Sequence, residues 1–244
     1  PSWSSQEAEN EVEGQALFIR AFCYFNLAIN YGGVPIFTTP VSINDVNNPR
    51  ATLAKVYAQI ISDLNQAKTL LQNFTLSTNS NGYATETAVQ ALLAKVYLYM
   101  AGYPTNDATK YDSCMVYCQK VINSGLHSLN PDYSQIFKNL AMGVGDGKEV
   151  IWEMQALSVA SGVSSIHANV DIGNFVGASS SYLASDNTSY NAVGWVYATK
   201  TLYDSYGVDP SSAVTYPAQG TGATGRIAVP NSFDTRRDWN VSPY

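Results

Sequence analysis

GQALFIRAFCYFNLAINYGGVPIFTTP, residues 14–40, has almost no polar face in its first half. Ala16, Ile19, Cys23 and Leu27 recur at helical spacing. Phe18, Phe22, Phe25 and Ile29 form the adjacent stripe. A helix that is apolar on nearly every side is expected to be buried on nearly every side. Arg20 is the one formal charge between Gln15 and Tyr31. Burying it unpaired is costly, so a carboxylate or carbonyl from another segment is expected to meet it. Gly32-Gly33 stops the helix, because glycine reaches the left-handed cap conformation cheaply. Val34-Pro35-Ile36 then leaves as an extended segment, since the residue before proline disfavours the α region.

Working outward, residues 1–10 (PSWSSQEAEN) read as a polar loop, with Trp3 packing on the domain, and the first helix as running from about Glu11 to Tyr31. Pro35, Pro40 and Pro49 make residues 34–50 an extended crossing segment. Thr52 is a good N-cap for a second helix. Tyr57, Ile60, Ile61, Leu64 and Leu71 lie on its apolar face, while Lys55, Asp63 and Lys68 fall mainly on the other. Asn73 to Asn81 is turn-rich. A third helix follows, capped by Thr85, stopped at Gly102 and apolar on two adjoining edges. A fourth spans Ala108 to Asn123, with Tyr111, Cys114, Met115, Cys118, Val121 and Ile122 directed inward and Gly125 beyond its end. The last two helices pair with a small-residue and tyrosine pattern (Ala94, Tyr97, Gly102, Ala108) loosely like a tetratricopeptide repeat, which buries its core by stacking.

Pro131 to Asn139 reads as a short helix. Glu149 to Gln155 alternates like a strand, with Val150, Trp152 and Met154 on one face and Trp152 in the core. From Ala156 to Gly194 the chain turns to Ser, Ala, Asn and Gly with no sustained periodicity. Loops this long in a compact domain are characteristically functional or disordered. A short helix, Thr199 to Tyr206, ends at Gly207. Val208 to Tyr244 reads as loop with a turn at Gly220 to Gly225. The fold class is mainly α: a TPR-like helical-repeat scaffold with long irregular loops and minor β. Residues 1–155 form the scaffold with its short strand, and residues 156–244 a loop-rich ligand-binding region.

Several function classes are disfavoured. The chain has 244 residues, with 13 basic against 19 acidic residues, a net charge of −6. That balance argues against a nucleic-acid surface. Charged residues make up 13%, about half the usual share. Surface polarity comes instead from Asn, Ser, Thr, Gln and 17 tyrosines, a blend suited to neutral, hydroxyl-rich ligands and equally to a secreted or surface protein. Three cysteines, an odd count, argue against a disulfide framework. Cys23, Cys114 and Cys118 read as small core residues. No run reaches the roughly 20 apolar residues of a membrane span. His127 and His167 stand in separate segments, and no GxSxG, HExxH or phosphate loop is present, so neither an enzyme nor a bound cofactor is indicated. Thr105 to Asp112 lacks the glycine and terminal glutamate of an EF-hand loop, which argues against calcium.

Sugar rings offer an apolar C–H face and a rim of hydroxyls, which proteins meet with aromatics and with amides or carboxylates. Trp195, Tyr182 and Tyr190 are the stacking candidates. Asn187, Asn191 and Asp186 are candidates for the hydroxyls. The competing role for Trp195 is a core plug where loop meets helix. Arg236 and Arg237 with Asp234 and Asp238 read as a surface or interdomain salt-bridge set.

GQALFIRAFCYFNLAINYGGVPI resembles the signature of the SusD/RagB family, GEARFLRAxxYFxLxxxFGxVPL. Gln15 stands for the usual acid and Leu17 for the usual arginine. PRATLAKVYAQIISDLNQAKTLL resembles the family's PRATxxEVYxxIxxDLxxAxxxL, and GYATETAVQALLAKVYLYMAG its GxATxxAAxALLAKVYLYxG. The succession from Gly194-Trp195 through LYDSYG to DTRRDW is similar, more loosely, to the family's GWGxxxPTxELVDAYExxDxRR. The resemblance implies a SusD-like fold with a helical scaffold. It also implies a non-catalytic, surface-exposed glycan-binding lipoprotein of Bacteroidetes that caps a TonB-dependent (SusC-like) outer-membrane transporter. The export signal and lipid-bearing cysteine would lie upstream of Pro1, and more sheet and loop beyond Tyr244. Family glycan platforms draw aromatics from loops in the neighbourhood of the candidates above. Two other readings stay open: a helical-repeat interaction scaffold without sugar affinity, and a glycan-processing enzyme with a carboxylate pair across a groove.

Overall fold

The computed structural model describes residues 5–41, 48–74, 82–142, 148–154, 200–207, 211, 213–217 and 226–230. Two compact units divide the chain, Pro1–Gln155 and Ala156–Tyr244. In the first unit the order is α1 (Gln6–Tyr31), α2 (Leu53–Leu70), α3 (Glu86–Ala101), α4 (Lys110–Asn123) and α5 (Tyr133–Met142). The first four pack chiefly on their neighbours in sequence, α1 on α2, α2 on α3 and α3 on α4. This is the mainly α, TPR-like scaffold that the helical periodicities predict.

Local chemistry sets the helix ends. Thr52 and Thr85 cap as expected: Thr52 Oγ1 accepts from Lys55 N at 3.4 Å and Thr85 Oγ1 from Ala88 N at 3.3 Å. Gly32 ends α1 with φ +71°, and Gly125 follows α4 with φ +66°. One end differs. Ser5 caps α1, its side chain accepting from Ala8 N at 3.2 Å, so the helix takes in residues expected as loop. Ser5 satisfies an amide that would otherwise be orphaned.

The core is formed by one stripe of α1 (Leu17, Phe18, Ala21, Tyr24, Phe25, Ala28) against Val56, Tyr57, Ile60, Leu64 and Leu71 and the Val89–Leu93–Val96 face of α3. α1 is therefore not buried all round. Ala16, Ile19, Cys23 and Leu27 are on its exposed side, Ile19 at 44% and Leu27 at 40% exposure. Both stripes are apolar, and periodicity does not choose between them; packing against α2 does. The cysteines are free but not core residues: Cys23 and Cys118 are exposed and Cys114 is half-buried, where burial and then Cys118 push its thiol pKa up. α4 also turns differently from expectation. Tyr111, Met115, Cys118 and Ile122 are exposed, and Tyr117 instead meets α3, stacking on Tyr97 with centroids 5.7 Å apart.

Three contacts tie the sequence motifs together. Arg20 Nε and Nη2 donate to the two oxygens of Asp63 at 2.8 and 2.7 Å, and Nη1 donates to Thr38 O at 3.3 Å. Arg20 thus finds the partner that burial requires. Asp63, read as lying on the outer side of α2, is fully buried instead. Arg50 Nε donates to Gly33 O at 2.7 Å and Arg50 Nη2 to Tyr31 O, closing the carbonyl end of α1. Ala51 N donates to Val34 O at 3.0 Å alongside. Finally, Gln15 Nε2 donates to Ala84 O and its Oε1 accepts from Ala84 N, both at 2.8 Å. A carboxylate could accept from that amide but could not donate to that carbonyl, so glutamine serves both groups.

Residues 149–154 form no strand, although Trp152 packs on the core as the alternation predicts. Its ring meets Phe18 and Phe22 edge-on, with centroids 5.1 and 5.0 Å away, and its Nε1–H donates to Gly82 O at 3.2 Å. Among the described residues no strand pairs with this segment; the indole, Ile151 against the core and the Asn130 N–Glu149 Oε2 bond at 2.7 Å hold it.

In the second unit, α6 (Lys200–Ser205) agrees with the predicted short helix, and Gly207 follows at φ +68°. The stretch expected as loop after Val208 contains a hairpin: β1 (Ala213–Pro217) pairs antiparallel with β2 (Arg226–Pro230), Thr215 opposite Ala228. Val-Thr-Tyr and Ile-Ala-Val carry the β-branched and aromatic preference that supports pairing. Pro217 and Pro230 stand at strand ends, where a missing amide is tolerated.

Candidate functional site

A cleft of about 660 Å³ opens where α3 begins, α4 ends and the segment around Ile151 crosses. Its position follows from local structure. The Thr85 cap starts α3 at its floor, and Gly125 turns the chain after α4 so that His127 comes back to the start of α3.

A hydrogen-bonded relay lines one wall. His127 Nδ1 lies 3.2 Å from Lys148 O, and a carbonyl only accepts, so Nδ1 carries the hydrogen. In the neutral ring Nε2 then accepts, and Thr87 Oγ1 donates to it across 2.9 Å. Thr85 Oγ1, already accepting from Ala88 N, supplies its hydrogen to Thr87 Oγ1 at 2.9 Å. Thr87 is buried. This relay satisfies its own members and holds the α4–α5 connection against α3.

On the other side Gln90 Nε2 donates to Glu86 Oε1 at 2.7 Å, one helical turn apart. Lys120 lies over the Tyr117 ring, 5.1 Å from its centroid, and Lys68 of α2 lies 5.7 Å from the same centroid. Burial and then the adjacent Tyr117 raise the Tyr97 hydroxyl pKa. Hydroxyl, amide, imidazole, carboxylate and ammonium groups therefore face one opening. That set can bind a hydroxylated ligand.

The six residues expected from the sequence to bind ligand, Trp195, Tyr182, Tyr190, Asn187, Asn191 and Asp186, lie outside the described residues. So do Asp234, Arg236, Arg237 and Asp238. The structure contributes a site that sequence reasoning passed over. His127 read as an isolated histidine, because its partner Thr87 is 40 residues away. The local signal was the Thr85-x-Thr87 pair at a helix start; its link to His127 is purely tertiary. Asp107, one of the two acids weighed for calcium, accepts from Thr109 N at 3.2 Å and Thr109 Oγ1 at 2.6 Å and pairs with Lys110 at 3.5 Å, bracing the start of α4.

Residues 2–98 match the SusD-like family described as starch-binding, associating with outer membrane. A SusD-like protein of Formosa agariphila is 22% identical over 151 residues, 62% of this chain and 26% of that protein. A SusD superfamily protein of Parabacteroides distasonis is similar in structure, with TM-score 0.69 and 23% identity over 93% of this chain and 48% of its own. A SusD homologue from Bacteroides thetaiotaomicron aligns with TM-score 0.59 and 27% identity over 65% of this chain and 31% of its own. The chain thus spans about a quarter of the curated relative's length.

Proposed function

We propose that this chain is a SusD-like protein that binds glycans at the outer membrane without cleaving them and passes them to a TonB-dependent, SusC-like transporter. The observation that carries the reading is the match of residues 2–98 to a family described as starch-binding. In that stretch Arg20, Arg50 and Gln15 hold the family motifs together. Trp195, Tyr182 and Tyr190 are the proposed stacking residues, with Asn187, Asn191 and Asp186 addressing the hydroxyl rim. Anchorage would come from a lipid outside this chain, and the protein would act on the cell surface.

Retention on affinity gels and calorimetry across neutral and acidic polysaccharides test this, with Trp195→Ala alongside. One retained glycan class, lost on substitution with the circular dichroism unchanged, is the expected result. Retention of none overturns it.

A second reading has an observation in its favour. Val12, Ile19, Cys23 and Leu27 form an exposed stripe along α1, the kind of face a protein partner covers. A TPR-like interaction scaffold without sugar affinity is the outcome if no glycan binds.

A further inference from the structure

The cleft at the start of α3 carries more polar capacity than its own hydrogen bonds consume. Gln90 is only 8% exposed. Its amide nitrogen serves Glu86, while its carbonyl has no hydrogen-bond donor among the described residues. No buried side-chain oxygen or nitrogen among those residues lacks a partner, so that carbonyl is open to the cleft it lines. The second oxygen of Glu86 adds another acceptor. Donors face them: Asn123 accepts through Oδ1 from Gln119 at 2.7 Å, which leaves its NH₂ group, and Lys120 has no carboxylate within 4 Å among the described residues. Phe74 adds an apolar wall, its ring tilted against Tyr83 at 6.4 Å.

Each hydroxyl of a sugar donates once and accepts twice, so it needs acceptors and donors together, beside an apolar surface for the ring's C–H groups. One carboxylate and one ammonium on the lining balance, which favours an uncharged ligand over a polyanion. About 660 Å³ falls within the range of small-molecule pockets. We infer that this cleft is a second saccharide site, taking one or two uncharged pyranose rings. It takes its ligand class from the glycan-binding reading above but none of its residues from the proposed loop platform.

The test uses the full chain with maltose, cellobiose and lactose, followed by saturation-transfer NMR and titration. Gln90→Ala and Asn123→Ala are expected to weaken disaccharide binding by about fivefold each, the loss of one hydrogen bond, while Trp195→Ala leaves it unchanged. Asn123 is exposed, so its variant keeps the test valid if Gln90→Ala loosens α3, and thermal melting checks both. No saturation transfer from any disaccharide, or transfer indifferent to both substitutions, overturns the inference. Polysaccharide retained on gels with no disaccharide signal sinks the cleft and leaves the loop reading standing. Disaccharide bound at the cleft with no polysaccharide retained supports the cleft and sinks the loop reading.

Discussion

Arg20 and Asp63, 43 residues apart, meet through two parallel hydrogen bonds of 2.8 and 2.7 Å, and the carboxylate has no exposed surface while the arginine keeps 30% of its own. Gln59 adds a third bond to Asp63 at 2.7 Å. The hydrogen bond that Arg20 donates to Asp63 raises the Arg20 pKa, followed by opposing desolvation and then by charge attraction. A raised arginine pKa stabilises at every pH below its unfolded value and is lost only as pH climbs through the folded one, so the pair persists through neutral and mildly alkaline solution.

The asymmetry in burial predicts unequal mutants. Arg20→Met strands a buried carboxylate and is expected to cost roughly 3–5 kcal/mol. Asp63→Asn keeps a hydrogen-bonding group in place, and its arginine partner still reaches solvent, so it costs less. Urea denaturation of the two variants ranks them; the reverse order refutes the account.

Trp152 ties the segment before the second unit to α1 through Phe18 and Phe22. Trp152→Ala removes both edge contacts and the bond to Gly82, with an expected loss of about 3 kcal/mol. Trp152→Phe keeps ring packing but leaves Gly82 O unserved, for about 1 kcal/mol. Thermal melts with intact far-UV circular dichroism measure both.

Gly33 is required by space, not by an unusual φ. A Cβ there would collide with Ala51 O, beside the Ala51–Val34 hydrogen bond. Since backbone on both sides must move, Gly33→Ala is expected to cost about 3 kcal/mol. Gly32→Ala meets no atom within 4 Å but sits at φ +71°, so its cost is conformational, about 1 kcal/mol. Equal destabilisation of the two would contradict this division.

Asp107 is held below the usual carboxylate range first by the Thr109 hydroxyl, then by Lys110. A depressed pKa means the stabilisation is present above the unfolded value and is lost as pH falls through the folded one. Acid melts from roughly pH 5 down to pH 3 are expected to separate wild type from Asp107→Asn, with the gap closing at the acid end. A constant gap would remove Asp107 from the account.

Much of the scaffold was legible from sequence because its signals are local. Caps at Thr52 and Thr85 act over three residues, and the stops at Gly32 and Gly125 on their own backbones. That Arg20 needed a partner was legible too, from the cost of burying charge. Which residue it was, and that Asp63 points inward, was not: helical spacing placed Asp63 with the lysines. α1 offered two apolar stripes of similar strength and was read as buried on nearly every side, yet Ile19 and Leu27 lie exposed. The hairpin at Ala213–Pro217 and Arg226–Pro230 hid among polar and glycine-rich neighbours, because its pairing lies between segments rather than within either.

For this protein, then, the amino-acid order alone determined where most of the helices begin and end, since capping and periodicity depend on residues a few positions apart. Tertiary structure alone decided which face of α1 is covered, which carboxylate receives Arg20, how Gln15 reaches Ala84, and that Thr87 and His127 line one cleft. Burial and hydrogen-bond pairing belong to surfaces brought together by folding, and residues 40 or more positions apart carry no mark of that meeting in their spacing.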